Sequence, residues 1–560
     1  MGIAHPTGYP LYTLLGKIFT WLPFGTVIQK LNFLSALFIS AAVLIYYFIL
    51  RNLYSRFFPE IESLQNDLAT AFFSLFFAFT PTLWSQATTN EVYGLHILFV
   101  SLILFLALKW EQSGSQKILY LICFLYGLSF TNHMTSILLL PAMLFFGFTS
   151  PQRKTIGLHD VVRGALLFCL ALTLYLYLPV RSLQEPLFDW SNPQNWSNFK
   201  NHVTGWQYQV WMIASSGAEL SQNLERLGGL LLKQFPPVIL GFPLSGLLFL
   251  LWRNLRVTVF LLLLALTSAL YGINYKIADI ENYYLPLFLV VGILTAVGVC
   301  LLVNLLIGKL FKNRQVLSII LILTTAGLAL FSFLNNYPEQ NKSTNYFAYD
   351  LAGNVFKSVT APALVLTDIW DFYSPYLYLH YIEEQDTNVI FLDKELLRRS
   401  WYCDYVRQAH PEIYRRSKKE IAEFVSAVRS FELKQSFDPG ELEQKYQALL
   451  LSLVERNLSD WNIYLVMGKP ELFREHFLEI PEGLVYRLYP QLAYYPYHTP
   501  EFELRGAEDP KVYQDGRTKF YLGRYAYMLE ARAKYETYFG HGETAAQLNQ
   551  KARQLRAFLE

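Results

Sequence analysis

The sequence predicts a mainly α-helical polytopic membrane protein with about ten transmembrane helices, followed by a C-terminal extracytoplasmic α/β domain that ends in helices. The composition indicates a membrane protein, because 53% of the 560 residues are hydrophobic and only 16% are charged. Soluble proteins carry about 25% charged residues. Long apolar segments recur up to residue 335, and shorter apolar runs of strand length follow them. We therefore expect a membrane domain over residues 1–335 and an α/β domain over residues 336–560.

The chain opens on a segment rich in proline and glycine, HPTGYP at residues 5–10. Two prolines fix φ and the glycine permits a turn, so a rigid loop is expected. Apolar residues then recur at helical spacing over residues 11–22, which predicts an amphipathic helix along the membrane surface. No signal peptide is evident before it. We expect an upstream helix that is missing from this chain; translocation of a short N-terminal tail is the alternative.

About ten apolar segments are the predicted spans of the membrane domain. They cover residues 32–50, 68–84, 92–109, 118–130, 135–148, 162–180, 235–252, 257–271, 284–306 and 316–334. A spanning helix needs about 20 residues, with about 17 as the lower limit. The fourth and fifth segments are shorter than this, so we expect a broken or tightly paired hairpin around residues 131–133.

Basic residues orient these segments, because positive charge is enriched in cytoplasmic loops. Alternate connections carry Arg51 and Arg56, Lys109 and Lys117, Arg153 and Lys154, Arg253 and Arg256, and the group Lys309, Lys312 and Arg314. All of these connections can lie on the cytoplasmic side at once. The connections then expected outside are the opening loop, residues 86–91, 131–133, 181–234 and 274–283, and the chain after Asn335.

The part after Asn335 reads as an α/β domain. Short apolar runs predict strands at residues 363–367, 388–392, 463–466 and 484–488, and a helical pattern covers residues 373–384. The tail predicts two helices that are interrupted at residues 540–542. The four cysteines are scattered between apolar runs and the polar tail, so neither a disulfide framework nor a metal site is expected.

Ionisable residues at the outer edge of the membrane are costly, so they are candidates for function. The predicted catalytic residues are Glu91 and Asp279, which each precede a span, and His133, at the tip of the short hairpin. Each has a structural alternative. Glu91 could be a helix-start carboxylate with Asn90 as the N-cap. Asp279 could likewise favour a helix start, and His133 could be a hydrogen-bonded structural histidine.

The predicted substrate-binding residues also lie on the outer face: His5, Tyr9, Arg181, Asp189, Trp190, Lys276 and Glu281. The loop around Trp190 is rich in Trp, Asn and Pro. Aromatic and amide side chains suit sugar recognition by stacking and hydrogen bonding, whereas an interfacial aromatic belt is the alternative. Arg181 ends a span, where a snorkelling side chain is common. Glu281 could be a further helix-start carboxylate.

Several motifs, taken in order, resemble a known membrane family. They are GIAHPTGYPLYTLLGKIF, KLNFLSALFISA, LWSQATTNEVYGLHILFV, GLSFTNHMTSILLLP, DWSNPQNWSNFKNHVTGWQY and IADIENYYLPLFLVVGI. Together they resemble the domain-of-unknown-function 2723 membrane family, which is protein O-mannosyltransferase-like and of the GT-C glycosyltransferase type. The resemblance covers the membrane domain and continues to NVIFLDKELLRRSWY. In that family a His-Pro-Pro-Gly-Tyr-Pro-like motif, in which Thr7 here replaces the second proline, follows a first helix and an acidic loop, which we expect upstream of this chain.

The resemblance implies a multi-pass membrane glycosyltransferase that moves a mannose-like sugar from a polyprenyl-phosphate donor. The implied acceptor is extracytoplasmic: Ser or Thr hydroxyls of a translocated protein, or a glycan. A carboxylate would accept the acceptor proton, and Arg181, His133 or Lys276 would stabilise the leaving phosphate. Neither a nucleic-acid partner nor a further cofactor is implied.

Two other classes of function remain open from the sequence. One is a transporter or flippase for a lipid-linked sugar, which predicts duplicated halves that the sequence does not display. The other is a non-catalytic anchor for the C-terminal domain, which leaves the polar groups at the outer edge unexplained. In each case we expect a prokaryotic cell membrane, or the endoplasmic reticulum membrane of a eukaryote.

Overall fold

The computed structural model describes residues 2–59, 61, 63–212, 215–307, 314–385, 388–467, 471–507, 509 and 511–558. The chain forms two compact units. The first contains Ile3–Gln184 and Pro193–Gln340, and the second contains Gly2, Glu185–Asn192 and Asn341–Glu560.

Helices build the first unit. In chain order they are α1 (Pro10–Phe19), α2 (Val27–Phe57), α3 (Ser63–Ala78), α4 (Pro81–Ala87), α5 (Tyr93–Ser113), α6 (Gln116–Phe130), α7 (Leu140–Thr149), α8 (Leu158–Leu172), α9 (Tyr177–Ser182), α10 (Trp196–Val203), α11 (Gly217–Gln234), α12 (Gly241–Arg253), α13 (Leu255–Ile273), α14 (Leu285–Leu302) and α15 (Arg314–Gln340). Every predicted apolar segment coincides with one or more of these helices. The helix expected after the opening turn is α1.

Six helices of the described chain are long and apolar enough to cross a membrane. They are Val27–Phe57, Tyr93–Ser113, Leu158–Ser182, Leu255–Ile273, Ile280–Leu305 and Gln315–Gln340. Two further pairs pass the same test together: α3 with α4, bent by 73°, and α11 with α12, bent by 81°. The number of actual crossings, ten in the sequence analysis, stays a prediction.

Both bends lie at prolines. Residues 68–84 were predicted to form one span, but α3 ends at Ala78 and α4 begins at Pro81. Proline lacks the N–H that a continuing helix needs, and it disfavours a helical residue before it. Pro236 and Pro237 separate α11 from α12 in the same way.

Helix α14 lies at the centre of the first unit, with nearly all of its side chains buried. It packs closely on α12 at two glycines. A Cβ on Gly246 would lie 2.0 Å from the carbonyl oxygen of Leu294, and one on Gly298 would lie 1.9 Å from that of Phe242. Small residues at such positions let membrane helices approach closely. These two glycines therefore let α12 and α14 pack in close contact.

Glu111 joins several of the loops that carry positive charge. Its carboxylate accepts hydrogen bonds from Arg56 at 2.8 Å and Arg256 at 3.0 Å. Its backbone oxygen accepts one from Gln152 at 3.2 Å. The loops near Arg56, Lys109, Arg153 and Arg256 therefore gather at one end of the bundle, as the charge pattern predicts. Their cytoplasmic location stays a prediction, and Lys309 and Lys312 lie outside the described residues.

The second unit is built on a five-stranded sheet within its described residues, in the order β2-β1-β3-β5-β4. The strands are β1 (Ala363–Thr367), β2 (Val389–Asp393), β3 (Asn462–Val466), β4 (Leu478–Glu482) and β5 (Val485–Tyr489). Strands β2, β1 and β3 are parallel, whereas β5 pairs antiparallel with both β3 and β4. The four strands predicted from sequence are present, and β4 was missed because its LEIPE sequence mixes two glutamates and a proline with two apolar residues.

Helices pack around this sheet. They are α16 (Phe347–Ser358), α17 (Trp370–Tyr381), α18 (Lys394–Leu397), α19 (Ser400–Ala409), α20 (Pro411–Arg416), α21 (Lys418–Glu432), α22 (Pro439–Glu455), α23 (Glu471–Arg474), α24 (Gly516–Tyr538) and α25 (Gly542–Ala557). The predicted helix after β1 is α17, and the predicted tail helices are α24 and α25. Buried side chains from the sheet and these helices form one core.

The first prediction concerns the buried carboxylate at the basic end of the bundle. Glu111→Gln removes the charge that two arginines share, so we expect a loss of about 2 kcal/mol of stability. The loss is moderate because the arginine side chains are 29% and 31% exposed, and water screens them. Thermal unfolding of the full chain in detergent measures the effect.

The matched control for this variant is Asp67→Asn, which breaks the exposed ion pair between Arg51 and Asp67. Exposed pairs contribute less than about 1 kcal/mol, so this variant should unfold close to the wild type. Equal destabilisation by the two substitutions would contradict the central role of Glu111.

Candidate functional site

A cavity of about 620 Å³ opens among the helix ends of the first unit. Helix α5 begins at this cavity with Tyr93 and reaches Glu111 18 residues later, a rise of about 27 Å. The cavity and the basic loops thus lie about one hydrocarbon thickness apart. The lining combines the opening loop with four other segments, namely residues 90–93, 133–137, 204–212 and 271–283. These are connections that the charge pattern predicts to share the outer face.

The opening loop forms one wall of the cavity. Gly8 has φ +88°, and a Cβ there would lie 2.9 Å from Nε2 of His202, so no larger residue fits without a shift. The backbone N–H of Leu11 donates to the carbonyl of Thr131 at 3.2 Å, which ties α1 to the end of α6. The turn that the prolines and glycine predict is therefore present. It positions His5 and Tyr9 against the cavity.

Two carboxylates line the cavity, Glu91 and Asp279. Both side chains are accessible from the cavity. The surrounding protein nevertheless removes much of the water around Glu91. This desolvation raises its pKa to about 7, the negative charge of Asp279 adds to the rise, and a backbone hydrogen bond from Val92 opposes it. A carboxyl that titrates near neutral pH is suited to accept a proton in a reaction.

The alternative in which Asn90 caps a helix is wrong. Helix α5 begins at Tyr93, its N-cap is Val92, and no side chain caps it. Oδ1 of Asn90 instead accepts a hydrogen bond from the Tyr12 hydroxyl at 2.7 Å. Glu91 therefore projects from the segment that precedes α5, where its carboxylate is available to the cavity.

His133 lies in an aromatic enclosure at the cavity wall. Its ring stacks on Tyr9 with 6.0 Å between centroids and packs against Tyr93 at 5.3 Å and Tyr283 at 5.6 Å. Burial lowers the pKa of His133 well below its ordinary value, and the neighbouring imidazoles of His96 and His5 lower it further. His133 is therefore neutral at physiological pH.

His5 approaches the cavity from the opening loop. Its Nδ1 lies 2.9 Å from the backbone oxygen of Pro6 and 3.2 Å from the hydroxyl of Tyr208. Desolvation lowers the pKa of His5, while the bond to Pro6 and the charge of Asp279 oppose that shift. The cavity thus brings together five of the predicted site residues: His5, Tyr9, Glu91, His133 and Asp279.

The other predicted site residues do not line this cavity. Lys276 pairs with Glu219 at 2.7 Å and lines a separate recess of about 270 Å³ beside Arg226. Arg181 donates to Oε1 of Gln184 at 2.6 Å. Glu281 lies in the turn Ile280–Tyr284, outside the lining.

Asp189 and Trp190 belong to the second unit instead. The Trp190 ring stacks on Trp401 with 4.8 Å between centroids, and Phe188 packs against the same tryptophan at 5.3 Å. The aromatic loop that suggested sugar binding is thus divided between the units. Its later part, through Tyr208, Trp211 and Met212, lines the cavity.

Sequence reasoning missed much of the aromatic lining. Tyr275 and Tyr283 lie on the segment 271–283, and Met212 forms a β-bridge with Tyr275. The backbone N–H of Lys276 also donates to the carbonyl of Trp211 at 3.2 Å. The recurrence of tyrosine in YGINYKIADIENYY was the available signal.

The lining sets the chemistry that the cavity can support. Its carboxylates can accept a proton, and its imidazoles and tyrosine hydroxyls can donate hydrogen bonds. Tyrosine faces can stack on the C–H faces of a sugar. Among the described residues that line the cavity, none is a lysine or an arginine. Within the described ranges, no group of three His, Cys, Asp or Glu residues is arranged to hold a metal ion.

Comparisons with known proteins find similarity to protein O-mannosyl-transferases. Residues 1–156 match a family model described as the N-terminal domain of protein O-mannosyl-transferase TMEM260. The chain is similar to protein O-mannosyl-transferase TMEM260 of Mus musculus, with 26% identity over 448 residues, which is 74% of this chain and 60% of the mouse protein. It is also similar to the tmem260 protein of Dictyostelium discoideum, with 22% identity over 72% of this chain and 54% of that protein. The chain thus spans a little over half the length of these relatives.

A comparison with solved structures matches two crystal structures of ArnT from Cupriavidus metallidurans. The one bound to undecaprenyl phosphate has a TM-score of 0.46 at 12% identity, covering 87% of this chain and 88% of ArnT. The structure in the apo state has a TM-score of 0.45 at the same identity and coverage.

The second prediction is that Glu91 titrates near neutral pH. Infrared spectroscopy of the full chain in lipid bilayers detects protonated carboxyls, and the band that Glu91→Gln removes belongs to Glu91. We expect its midpoint near pH 7, because desolvation and the charge of Asp279 disfavour ionisation. Asp279→Asn should lower the midpoint, since it removes the neighbouring negative charge.

The control variant in this titration is Asp67→Asn, at the basic end of the bundle. It should leave the Glu91 midpoint unchanged. A wild-type midpoint near 4.5, the ordinary value for Glu, would show that the cavity does not desolvate Glu91.

Proposed function

We propose that the chain is a membrane glycosyltransferase of the GT-C type that acts as a protein O-mannosyltransferase. It would transfer a mannose-like sugar from a polyprenyl-phosphate donor to Ser or Thr hydroxyls of an extracytoplasmic protein. The observation that carries the proposal is the cavity that unites Glu91, Asp279 and His133 at the ends of apolar helices. The named activity of the similar TMEM260 proteins supports the reaction class.

The proposed reaction is a single displacement at the anomeric carbon of the sugar. The acceptor oxygen forms a bond to that carbon while the bond to the phosphate oxygen breaks, and the configuration inverts. The acceptor hydroxyl loses its proton to the Glu91 carboxylate, which acts as general base. Asp279 supports this role because its charge raises the pKa of Glu91, and a higher pKa makes Glu91 a stronger base.

The polyprenyl phosphate leaves with a negative charge that needs stabilisation. Lys276 and Arg181 were expected to supply it, yet neither lines the cavity. The proposed donors are instead His133 and the tyrosine hydroxyls around it. Oriented donors in a dry site stabilise developing charge strongly without carrying a charge of their own. His5 and Tyr9 are proposed to contact the sugar or the phosphate.

The lipid chain of the donor is proposed to lie against α1. This helix carries apolar residues that face outward, with Ile18 50% exposed and Trp21 beyond its end 70% exposed. Basic Lys17 lies in its last turn. An exposed apolar face beside a polar cavity is expected for a helix at a membrane surface. It allows the polyprenyl chain to remain in lipid while the phosphate enters the cavity.

The third prediction tests the proposed base. In liposomes that contain the full chain and polyprenyl-phosphate mannose, transfer to a Ser/Thr peptide is measured by mass spectrometry. Glu91→Gln keeps the size of the side chain but cannot accept the proton, so the rate should fall at least about tenfold. In the wild type, kcat/KM should fall as the pH is lowered through about 7, because Glu91 becomes protonated.

A matched control is Glu225→Gln, an exposed glutamate on α11 that does not line the cavity. Its rate and pH profile should match the wild type. Full activity of Glu91→Gln, with an unchanged pH profile, would show that another group is the base.

A further inference from the structure

His133 takes part in a short chain of hydrogen bonds that leads away from the cavity. Its Nδ1 lies 2.5 Å from Oγ1 of Thr135. The same Oγ1 lies 3.5 Å from Nε2 of His96, on the first turn of α5. A hydroxyl has a single proton, so Thr135 can donate to only one of the two imidazoles. The direction decides which nitrogen of His133 carries its proton.

The backbone N–H of Thr135 resolves this choice. It donates to Nδ1 of His133 at 3.4 Å, as part of the turn that starts the segment Met134–Leu139. An N–H group cannot accept a hydrogen bond, so Nδ1 must present its lone pair. The Thr135 hydroxyl then also donates to Nδ1, and Nε2 of His133 carries the proton.

The contacts of His96, at the far end of this chain of hydrogen bonds, agree with this direction. With its proton directed at His133, the Thr135 oxygen accepts from Nε2 of His96. Nδ1 of His96 is then an unprotonated acceptor, and this buried atom has no hydrogen-bond partner within the described residues. The reverse direction would leave a buried N–H without a partner, which is rarer in proteins than an unpaired acceptor.

We propose that Thr135 and His96 are positioning residues that hold His133 neutral with its proton on Nε2, directed at the phosphate oxygen of the leaving group. This role rests on the proposed function. His133 would give its hydrogen bond without losing the proton, since the acceptor proton goes to Glu91. The bond would strengthen as charge develops on the phosphate oxygen during cleavage of its bond to the sugar.

The surroundings of the ring support this assignment. The rings of Tyr9, Tyr93 and Tyr283 pack on His133, so its orientation is restricted. The depressed pKa of His133 excludes the doubly protonated form at physiological pH. No described residue bonds to Nε2, and His133 lines the cavity, so this nitrogen is available to a ligand. An oriented neutral donor suits a cavity whose lining has no lysine or arginine.

The tautomer can be measured without reference to activity. The chain has ten histidines, so nitrogen NMR of the ¹⁵N-histidine-labelled protein in bilayers gives a set of imidazole signals small enough to resolve. The signal that is lost in His133→Phe belongs to His133. We expect a protonated Nε2 and an unprotonated Nδ1 at pH 7.5. In Thr135→Val the population with the proton on Nδ1 should increase, because the hydroxyl donor is lost. A wild-type proton on Nδ1 would overturn the proposal.

The fourth prediction concerns transfer activity in the same variants. Thr135→Val should lower kcat at least about tenfold with little change in KM, because the donor acts on charge that develops in the transition state. Thr135→Ser keeps the hydroxyl and should restore kcat to within about threefold of the wild type. The matched control is Thr149→Val. Its hydroxyl donates to the carbonyl of Phe145 in its own helix at 2.7 Å, and Thr149 is not among the described residues that line the cavity.

The two measurements separate this inference from the proposed function. Unchanged kcat in Thr135→Val, beside an active wild type, would overturn the positioning role and leave the glycosyltransferase in place. Failure of every variant and of the wild type to transfer sugar, with the tautomer as expected, would overturn the proposed function. The catalytic role of the hydrogen-bond chain would fall with it.

Discussion

Unpaired charge is costly in the interior of an apolar bundle, and this constraint arranges the first unit. Its carboxylates Glu91, Asp279 and Glu111 lie at the ends of helices that are apolar enough to span a membrane. At one end Glu111 binds Arg56 and Arg256, where its charge is neutralised. At the other end Glu91 and Asp279 face a cavity in which no described lining residue is a lysine or an arginine. The first end is therefore stabilising, whereas the second leaves two carboxylates that can react.

The electrostatics of the cavity follow from that difference. Desolvation, together with the nearby negative charge of Asp279, disfavours ionisation of Glu91 and raises its pKa to about 7. The same desolvation keeps His133 neutral. Displacement of a sugar from a phosphate requires a base that accepts a proton and a donor that stabilises the leaving phosphate. The carboxylate can act as the base, and the imidazole can act as the donor. A basic residue in the cavity would favour ionised carboxylates and weaken Glu91 as a base.

Much of the first unit was predictable, because hydropathy and the distribution of basic residues are both set by the membrane. They located the helices and predicted which connections share a face, and the structure brings Glu91, His133 and Asp279 into one cavity. The partners of Lys276 and Arg181 were not predictable, because Glu219 and Gln184 approach them only in the folded chain. Trp190 was assigned to the site from composition, but packing on Trp401 places it in the second unit. The hydrogen bonds of Thr135 depend on a turn that hydropathy does not detect.

We propose that a lipid-linked sugar reacts in the cavity beside Glu91. A cryo-EM structure of the full chain in lipid nanodiscs, with a non-hydrolysable polyprenyl-phosphonate mannose, would test this proposal. We expect the sugar within hydrogen-bonding distance of Glu91 or Asp279, the phosphonate against His133, and the lipid chain along α1. Binding of the analogue at another surface, with the cavity free of it, would show that the sugar does not react there.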